Sequence, residues 1–215
     1  MQQKKKRFGI SLRVELIEKY NEKRDTLSQE WTNFLQKHAI IPIMIPNTLD
    51  DVKSYISDLG IDGLILSGGD NIGEFPERDK TEKQILDYAI DKRFPVLGVC
   101  RGMQIINEYF AGKVFANDNN SHVGKPHQIH IMDQKFSKLL GDDNMQVNSF
   151  HNNIITKKSI GEKLQVFAMS EHDNTIEGYY HSDLPIIGVM WHPERGMVSK
   201  HQTKLLEIFE NKSLW

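Results

Sequence analysis

FPVLGVCRGMQIIN, residues 94–107, holds the chain's only cysteine at the point where an apolar run gives way to a helical pattern. Pro95 to Val99 is apolar on both faces, as a central strand of a parallel sheet must be. Met103, Ile106 and Phe110 then repeat at helical spacing. Between the two sits Cys100, with Gly98 and Gly102 two residues to either side. This G-x-C-x-G is the thiol counterpart of the strand-turn-helix elbow that lifts a nucleophile out of a sheet. Glycines are needed there because a Cβ would collide with neighbouring backbone. A thiol so placed lies at a helix N-terminus, where free N–H groups and the dipole favour an anion. The Arg101 amide would point at the same spot as an oxyanion donor. The competing reading is an inert core cysteine, since free Cys is often buried; the paired glycines favour the nucleophile.

A cysteine nucleophile needs a base, and the base needs an orienting group. GVMWHPER, residues 188–195, offers both. His192 follows the apolar run Ile186 to Met190, and Glu194 lies two residues on. In extended chain, i and i+2 point to one side, so Glu194 can hold one imidazole nitrogen while the other faces the thiol. Pro193 favours an extended His192. Ser67-Gly68-Gly69-Asp70-Asn71 follows a third apolar run, Gly63 to Leu66, and ligands of open α/β sheets bind beyond the carboxyl ends of strands.

Apolar runs and amphipathic stretches alternate through the first half, the pattern of strand and crossover helix. Phe8 to Leu12 and Ile40 to Ile45 read as strands, Pro42 demoting the second toward an edge. Leu27, Trp31, Phe34 and Leu35 share a helix face. Asp50 or Asp51 can cap a second helix, and Asp79 followed by Glu82 suits the start of a third. From Lys113 to about Tyr180 the segments look short, polar and β-like, with Asp173-Asn174 a hairpin turn between Leu164–Met169 and Ile176–Tyr180. Leu205, Ile208 and Phe209 mark a closing helix. Neither an internal repeat nor a linker divides the 215 residues, which predicts one domain over 1–215.

A formal net charge of −2 provides no field to gather nucleic acid. One cysteine excludes an internal disulfide and a Cys-rich metal site, and makes the cytosol the expected compartment. No run approaches the roughly 20 apolar residues of a membrane span. Lys4 to Arg7 reads as a solvated basic tail, because Arg13 and Glu15 interrupt any signal-peptide core after it. The nine histidines include His122, His127 and His130 in HVGKPHQIH, whose spacing fits no standard zinc pattern. Polar loop histidines are expected, with no metal and no cofactor.

GVCRGMQ, GGD after a strand, and WHPE, arriving in family order across nearly the whole chain, resemble the class I glutamine amidotransferases with their Cys-His-Glu triad. The resemblance implies an α/β fold: an open, mostly parallel, flavodoxin-like sheet flanked by helices, with a small antiparallel β patch. It implies Cys100 as nucleophile, His192 as base and Glu194 as its orienting carboxylate. Gly69 and Arg101 would supply oxyanion amides. Gly68 and Gln104 would border the γ-glutamyl group, and VNSFH, with Asn148, Ser149, Phe150 and His151, would hold the glutamate α-amino and α-carboxylate groups. A small γ-glutamyl compound is the expected partner, and a homodimer is compatible with the resemblance.

Two functions compete within this fold: a stand-alone γ-glutamyl hydrolase, and a glutaminase that feeds ammonia to a synthase partner. Arg78 to Glu82, RDKTE, together with VNSFHNN and the long stretch from Ser11 to Leu35, resembles the hydrolase branch, peptidase family C26. In that stretch Arg13, Tyr20, Arg24 and Trp31 could grip a cytidine diphosphate leaving group through cations and an aromatic face. A solvated helix face around a buried Trp31 is the alternative.

Overall fold

The apolar runs pair into one twisted sheet in the computed structural model, which describes residues 5–117, 122–196 and 200–215. In chain order the elements are β1 (Arg7–Ser11), β2 (Arg13–Ile17), β3 (Glu22–Thr26), α1 (Gln29–Lys37), β4 (Ile41–Ile45), α2 (Val52–Asp58), β5 (Gly63–Leu66), α3 (Pro76–Lys92), β6 (Val96–Val99) and α4 (Arg101–Tyr109). They continue with β7 (Phe115–Ala116), β8 (His127–Ile131), α5 (Gln134–Leu140), β9 (Asn144–Val147), β10 (Asn153–Ile154), β11 (Leu164–Ser170), β12 (Ile176–His181), β13 (Ile186–Val189) and α6 (Lys200–Asn211).

Among the described residues the main sheet runs β4-β1-β5-β6-β13-β12-β11-β8-β9. From β4 to β13 every pairing is parallel. From β13 to β9 every pairing is antiparallel, so the antiparallel patch continues the sheet. Two small ribbons, β2-β3 and β7-β10, stand apart from it.

Alternation along the central strands divides the core. Ile65, Leu97, Val99, Ile187 and Val189 pack on one face against Trp31, Phe34 and Phe209. Leu64, Leu66, Val96 and Ile186 pack on the other against Ile85, Leu86, Met103 and Ile106. Burial on both faces is what their unbroken hydrophobicity requires. No helix among the described residues is long and apolar enough to cross a membrane.

Pro42 does lie on the edge strand, β4. Asp51, rather than Asp50, caps α2, its Oδ1 accepting from the Ser54 amide at 3.0 Å. Helix α3 begins at Pro76, not at Asp79. Proline's fixed φ suits the first helical turn, and the earlier start carries Asp79 and Glu82 inside the helix. Helix α5 interrupts a stretch that reads as β. Asp133 caps it by accepting from the Lys135 and Phe136 amides (2.7 and 3.1 Å), and Gly141 closes it at φ +85°.

The charged stretch after β1 forms the β2-β3 hairpin. Trp31 is 2% exposed within the core, so it presents no aromatic face to a ligand. Tyr20 is 61% exposed at the hairpin tip, and Arg24 is paired with Glu22. In the basic run, Lys6 pairs with Glu210 at 2.8 Å and Arg7 opens β1; Lys4 lies outside the described residues.

Candidate active site

Strands β6 and β13 are parallel neighbours, with Val99 opposite Val189. Cys100 and His192 leave the same rim because each follows the end of one of these strands. Strand β5, paired to β6 on the other side, delivers Gly68 and Gly69 to that rim.

The elbow is tight. Cys100 has φ +52° and ψ −107°, a conformation that costs a non-glycine residue of order 1–3 kcal/mol. Its amide donates to the Val189 carbonyl at 2.8 Å, which ties the bend to β13. A Cβ on Gly98 would meet the Gly102 carbonyl oxygen at 2.6 Å, and one on Gly102 would overlap the Leu66 carbonyl oxygen. The two glycines therefore let helix α4 start directly against β5 and β6. Arg101 is the first residue of α4, so its N–H has no intrahelical acceptor.

His192 is 3% exposed. Its Nδ1 lies 2.7 Å from Glu194 Oε1, which leaves Nε2 for the thiol. The side chain of Asn148 clamps the His192 backbone, its Oδ1 accepting from the His192 amide and its Nδ2 donating to the His192 carbonyl, both at 2.8 Å. A Cβ on Gly68 would stand 2.8 Å from ring carbon Cε1 of His192, so glycine there makes room for the ring. Burial disfavours the charged ring, but hydrogen bonding to Cys100 and Glu194 outweighs it and pushes His192 up to about 9. The two partners thus favour a proton on the ring beside the sulfur, an arrangement suited to proton delivery after nucleophilic attack.

Sequence reasoning missed the support beneath the elbow. Arg78, Glu82 and Arg101 are almost fully buried. Arg78 Nε meets Glu82 Oε1 at 3.1 Å, and Arg101 pairs with both Glu82 and Asp79. Arg78 also donates to the Ser67 and Gly68 carbonyls at 2.8 and 3.0 Å and to Asp70 at 2.9 Å. One carboxylate on α3 therefore joins the elbow, through Arg101, to the Gly68-Gly69 turn, through Arg78. The signal was present as RDKTE, whose Arg78 and Glu82 are i and i+4 neighbours.

A cavity of about 240 Å³ opens over Cys100, bordered by Gly69, Arg101, Gln104, Phe150, His151 and His192, with Asp70, Asn71, Asn152, Asn153 and Arg195 around them. Gly69, at φ +107°, and Arg101 both border this cavity. Gln104 accepts from Asn153 at 3.3 Å. Three expected substrate contacts are not on this wall. Gly68 packs behind His192. Asn148 is spent on the His192 backbone, and Ser149, 1% exposed, donates to the His122 carbonyl at 2.5 Å. The histidines expected in polar loops also differ: His127 and His130 belong to β8, and His122 is 2% exposed.

An open α/β sheet with a thiol, an imidazole and a carboxylate gathered at its carboxyl rim has the architecture of the class I glutamine amidotransferases. The chain belongs to the peptidase C26 family, whose model matches residues 9–194, and is by class a hydrolase of carbon–nitrogen bonds. It is 34% identical over 197 residues to a gamma-glutamyl-CDP-amidate hydrolase of Campylobacter jejuni, covering 87% of this chain and 90% of that one. It is 36% identical over 183 residues to a candidate glutamine amidotransferase of Schizosaccharomyces pombe, covering 72% and 71%. A candidate GMP synthase component from Thermoplasma acidophilum superposes with TM-score 0.73 over 98% of this chain and 94% of that one; at 21% identity the likeness is one of fold.

Proposed function

We propose that the protein is a γ-glutamyl hydrolase acting through Cys100, His192 and Glu194, with γ-glutamyl-CDP-amidate as its substrate and capsular phosphoramidate synthesis as its setting. The observation that carries the chemistry is the Glu194-held imidazole of His192, brought by β13 to the same rim as the Cys100 thiol on its strained elbow. The sulfur anion attacks the γ-carbonyl carbon. The oxyanion is met by the Gly69 and Arg101 amides. As the tetrahedral intermediate collapses, the C–N bond breaks and His192 gives its proton to the departing nitrogen. Water then adds to the γ-glutamyl thioester, losing a proton to His192, and L-glutamate leaves with the thiol restored.

The substrate assignment rests on the Campylobacter relative and on the shape of the site. The half-open cavity of about 240 Å³ falls below the ~300–1,000 Å³ of sites that swallow a drug-sized ligand. It suits an amino-acid-sized γ-glutamyl group, with the leaving group lying outside. At that mouth the hairpin is docked by Val14, whose amide donates to Asp70 at 2.9 Å, and the Arg13 side chain passes Gly69. Arg13 and Arg195 would face a diphosphate there, a role for which Trp31 is too deeply buried.

The second reading, a glutaminase that supplies ammonia to a synthase, draws on the Schizosaccharomyces relative. Glutamate release by the purified protein, compared between γ-glutamyl-CDP-amidate and glutamine, separates the two. Faster release from the nucleotide without any partner supports the hydrolase. Turnover of glutamine alone, and only on adding a synthase, would replace it.

A further inference from the structure

Behind the cavity wall, His122, His151 and Glu177 converge, and nothing in the acyl chemistry uses them. Each is at most 3% exposed. Their ligand atoms all lie within 4.8 Å of one another. Glu177 Oε1 stands 3.6 Å from His151 Nε2 and 4.0 Å from His122 Nδ1, and His127 Nε2 approaches the same oxygen at 3.4 Å. These separations are too long for good hydrogen bonds, and both Glu177 oxygens and the facing nitrogens lack a hydrogen-bond partner. We propose that His122, His151 and Glu177 bind a divalent zinc-like cation that fastens the substrate-binding segment to the sheet.

Outer contacts fix which ring nitrogens face inward. His151 Nδ1 lies 2.9 Å from the Asn153 carbonyl, which can only accept, so this nitrogen carries hydrogen and a neutral ring turns the Nε2 lone pair toward Glu177. His122 Nε2 lies 2.8 Å from Asp173 Oδ2, which by the same logic turns its Nδ1 lone pair inward. A carbonyl or carboxylate behind a ligating histidine is the usual way to hold such a ring. Lone pairs aimed at a buried carboxylate repel it unless a positive charge stands between them. Protons would have to charge two rings stacked at 4.6 Å. One divalent ion meets all three groups and is neutralised by Glu177 and Asp173 together.

The spacing also fits. Tetrahedral zinc with bonds of about 2.0–2.1 Å separates its ligand atoms by roughly 3.3 Å, so the contacts to Glu177 need close by less than about 1 Å. Two histidines and a glutamate supply three protein ligands to a buried ion. They come from β12 and the segments beside the Val123–Phe150 bridge, which is why no linear motif announced the site. His151 also borders the cavity, so the ion would set the position of Phe150 to Asn153.

The test is made in a Cys100→Ala background, so that the active-site thiol cannot supply a ligand. The protein is stripped with a chelator and dialysed against Zn²⁺ or Co²⁺. One equivalent of zinc retained through gel filtration, a visible absorption of tetrahedral Co²⁺ and a raised Tm are expected, with all three lost in Glu177→Gln. No retained zinc, or a Co²⁺ spectrum without tetrahedral bands, would overturn the proposal. If Glu177→Gln does not fold, His122→Asn serves: loss of the Co²⁺ absorption is expected, and an unchanged spectrum would overturn the proposal. None of these readouts depends on which substrate is cleaved.

Discussion

Asn148 holds His192 by both ends of its backbone, accepting from its amide and donating to its carbonyl at 2.8 Å each. A third bond, from the same Nδ2 to the Arg195 carbonyl at 3.0 Å, closes the turn that carries Glu194. An expected substrate ligand is thus the clamp of the base. Asn148→Ala should lower kcat by about 10-fold or more through misplacement of the ring, with KM little changed. The loss of stability, from thermal melts, should be about 1–3 kcal/mol. A rise in KM alone would return Asn148 to the substrate.

Gly102→Ala probes the elbow without touching the chemistry. Its Cβ would collide with the backbone carbonyl of Leu66, which no rotamer change relieves. Destabilisation beyond the ~1–3 kcal/mol of ordinary overpacking is expected in denaturant melts. A stable Gly102→Ala protein would mean that α4 does not start against β5 as described.

Glu82 sits between two buried guanidinium groups. Burial raises its carboxyl, but Arg78 and Arg101 more than offset this and hold it below the ordinary 4.5. Its folded pKa being depressed, the stability it contributes is present above pH 4.5 and lost as pH falls through the folded value. Glu82→Gln leaves both cations underpaired and should cost about 3–5 kcal/mol at pH 7. The difference from wild type should shrink on acidification below 4.5, which melts across pH 3–8 can measure.

His192 sets the alkaline limit. Its pKa is raised, so the proton it must deliver is present through neutrality and lost as pH climbs through about 9. The kcat/KM profile should therefore fall on the alkaline side near pH 9. Stability contributed by the charged ring follows the same sign, full below 6.5 and gone above about 9. Glu194→Gln removes one of the groups that raise the ring, so the limb should move to lower pH while turnover drops by up to ~10⁴-fold. A limb that stays in place would mean Glu194 does not govern the ring.

The parallel core was legible in the sequence wherever burial on both faces left an unbroken apolar run, as in Gly63–Leu66 and Val96–Val99. The elbow was legible because two glycines at fixed offsets have a single steric cause. Helix α5 was hidden because its signals, a cap at Asp133 and a stop at Gly141, bracket only seven residues. The Arg78–Glu82–Arg101 link and the His122–His151–Glu177 cluster were hidden for another reason. Their members come from segments that only the sheet order brings together. Asn148 shows the converse, a polar residue beside the site whose side chain is spent on backbone.

If the Cys100 sulfur carries the γ-glutamyl group, glutamate release must depend on it, and the Cys100→Ala variant measures that dependence. The variant loses only the sulfur from the elbow and should keep the native fold, as circular dichroism can check. No glutamate above the uncatalysed background is expected from γ-glutamyl-CDP-amidate, and an acid-stable γ-glutamyl adduct on Cys100 is expected when the wild-type reaction is quenched. Turnover by Cys100→Ala at the wild-type rate would contradict that dependence.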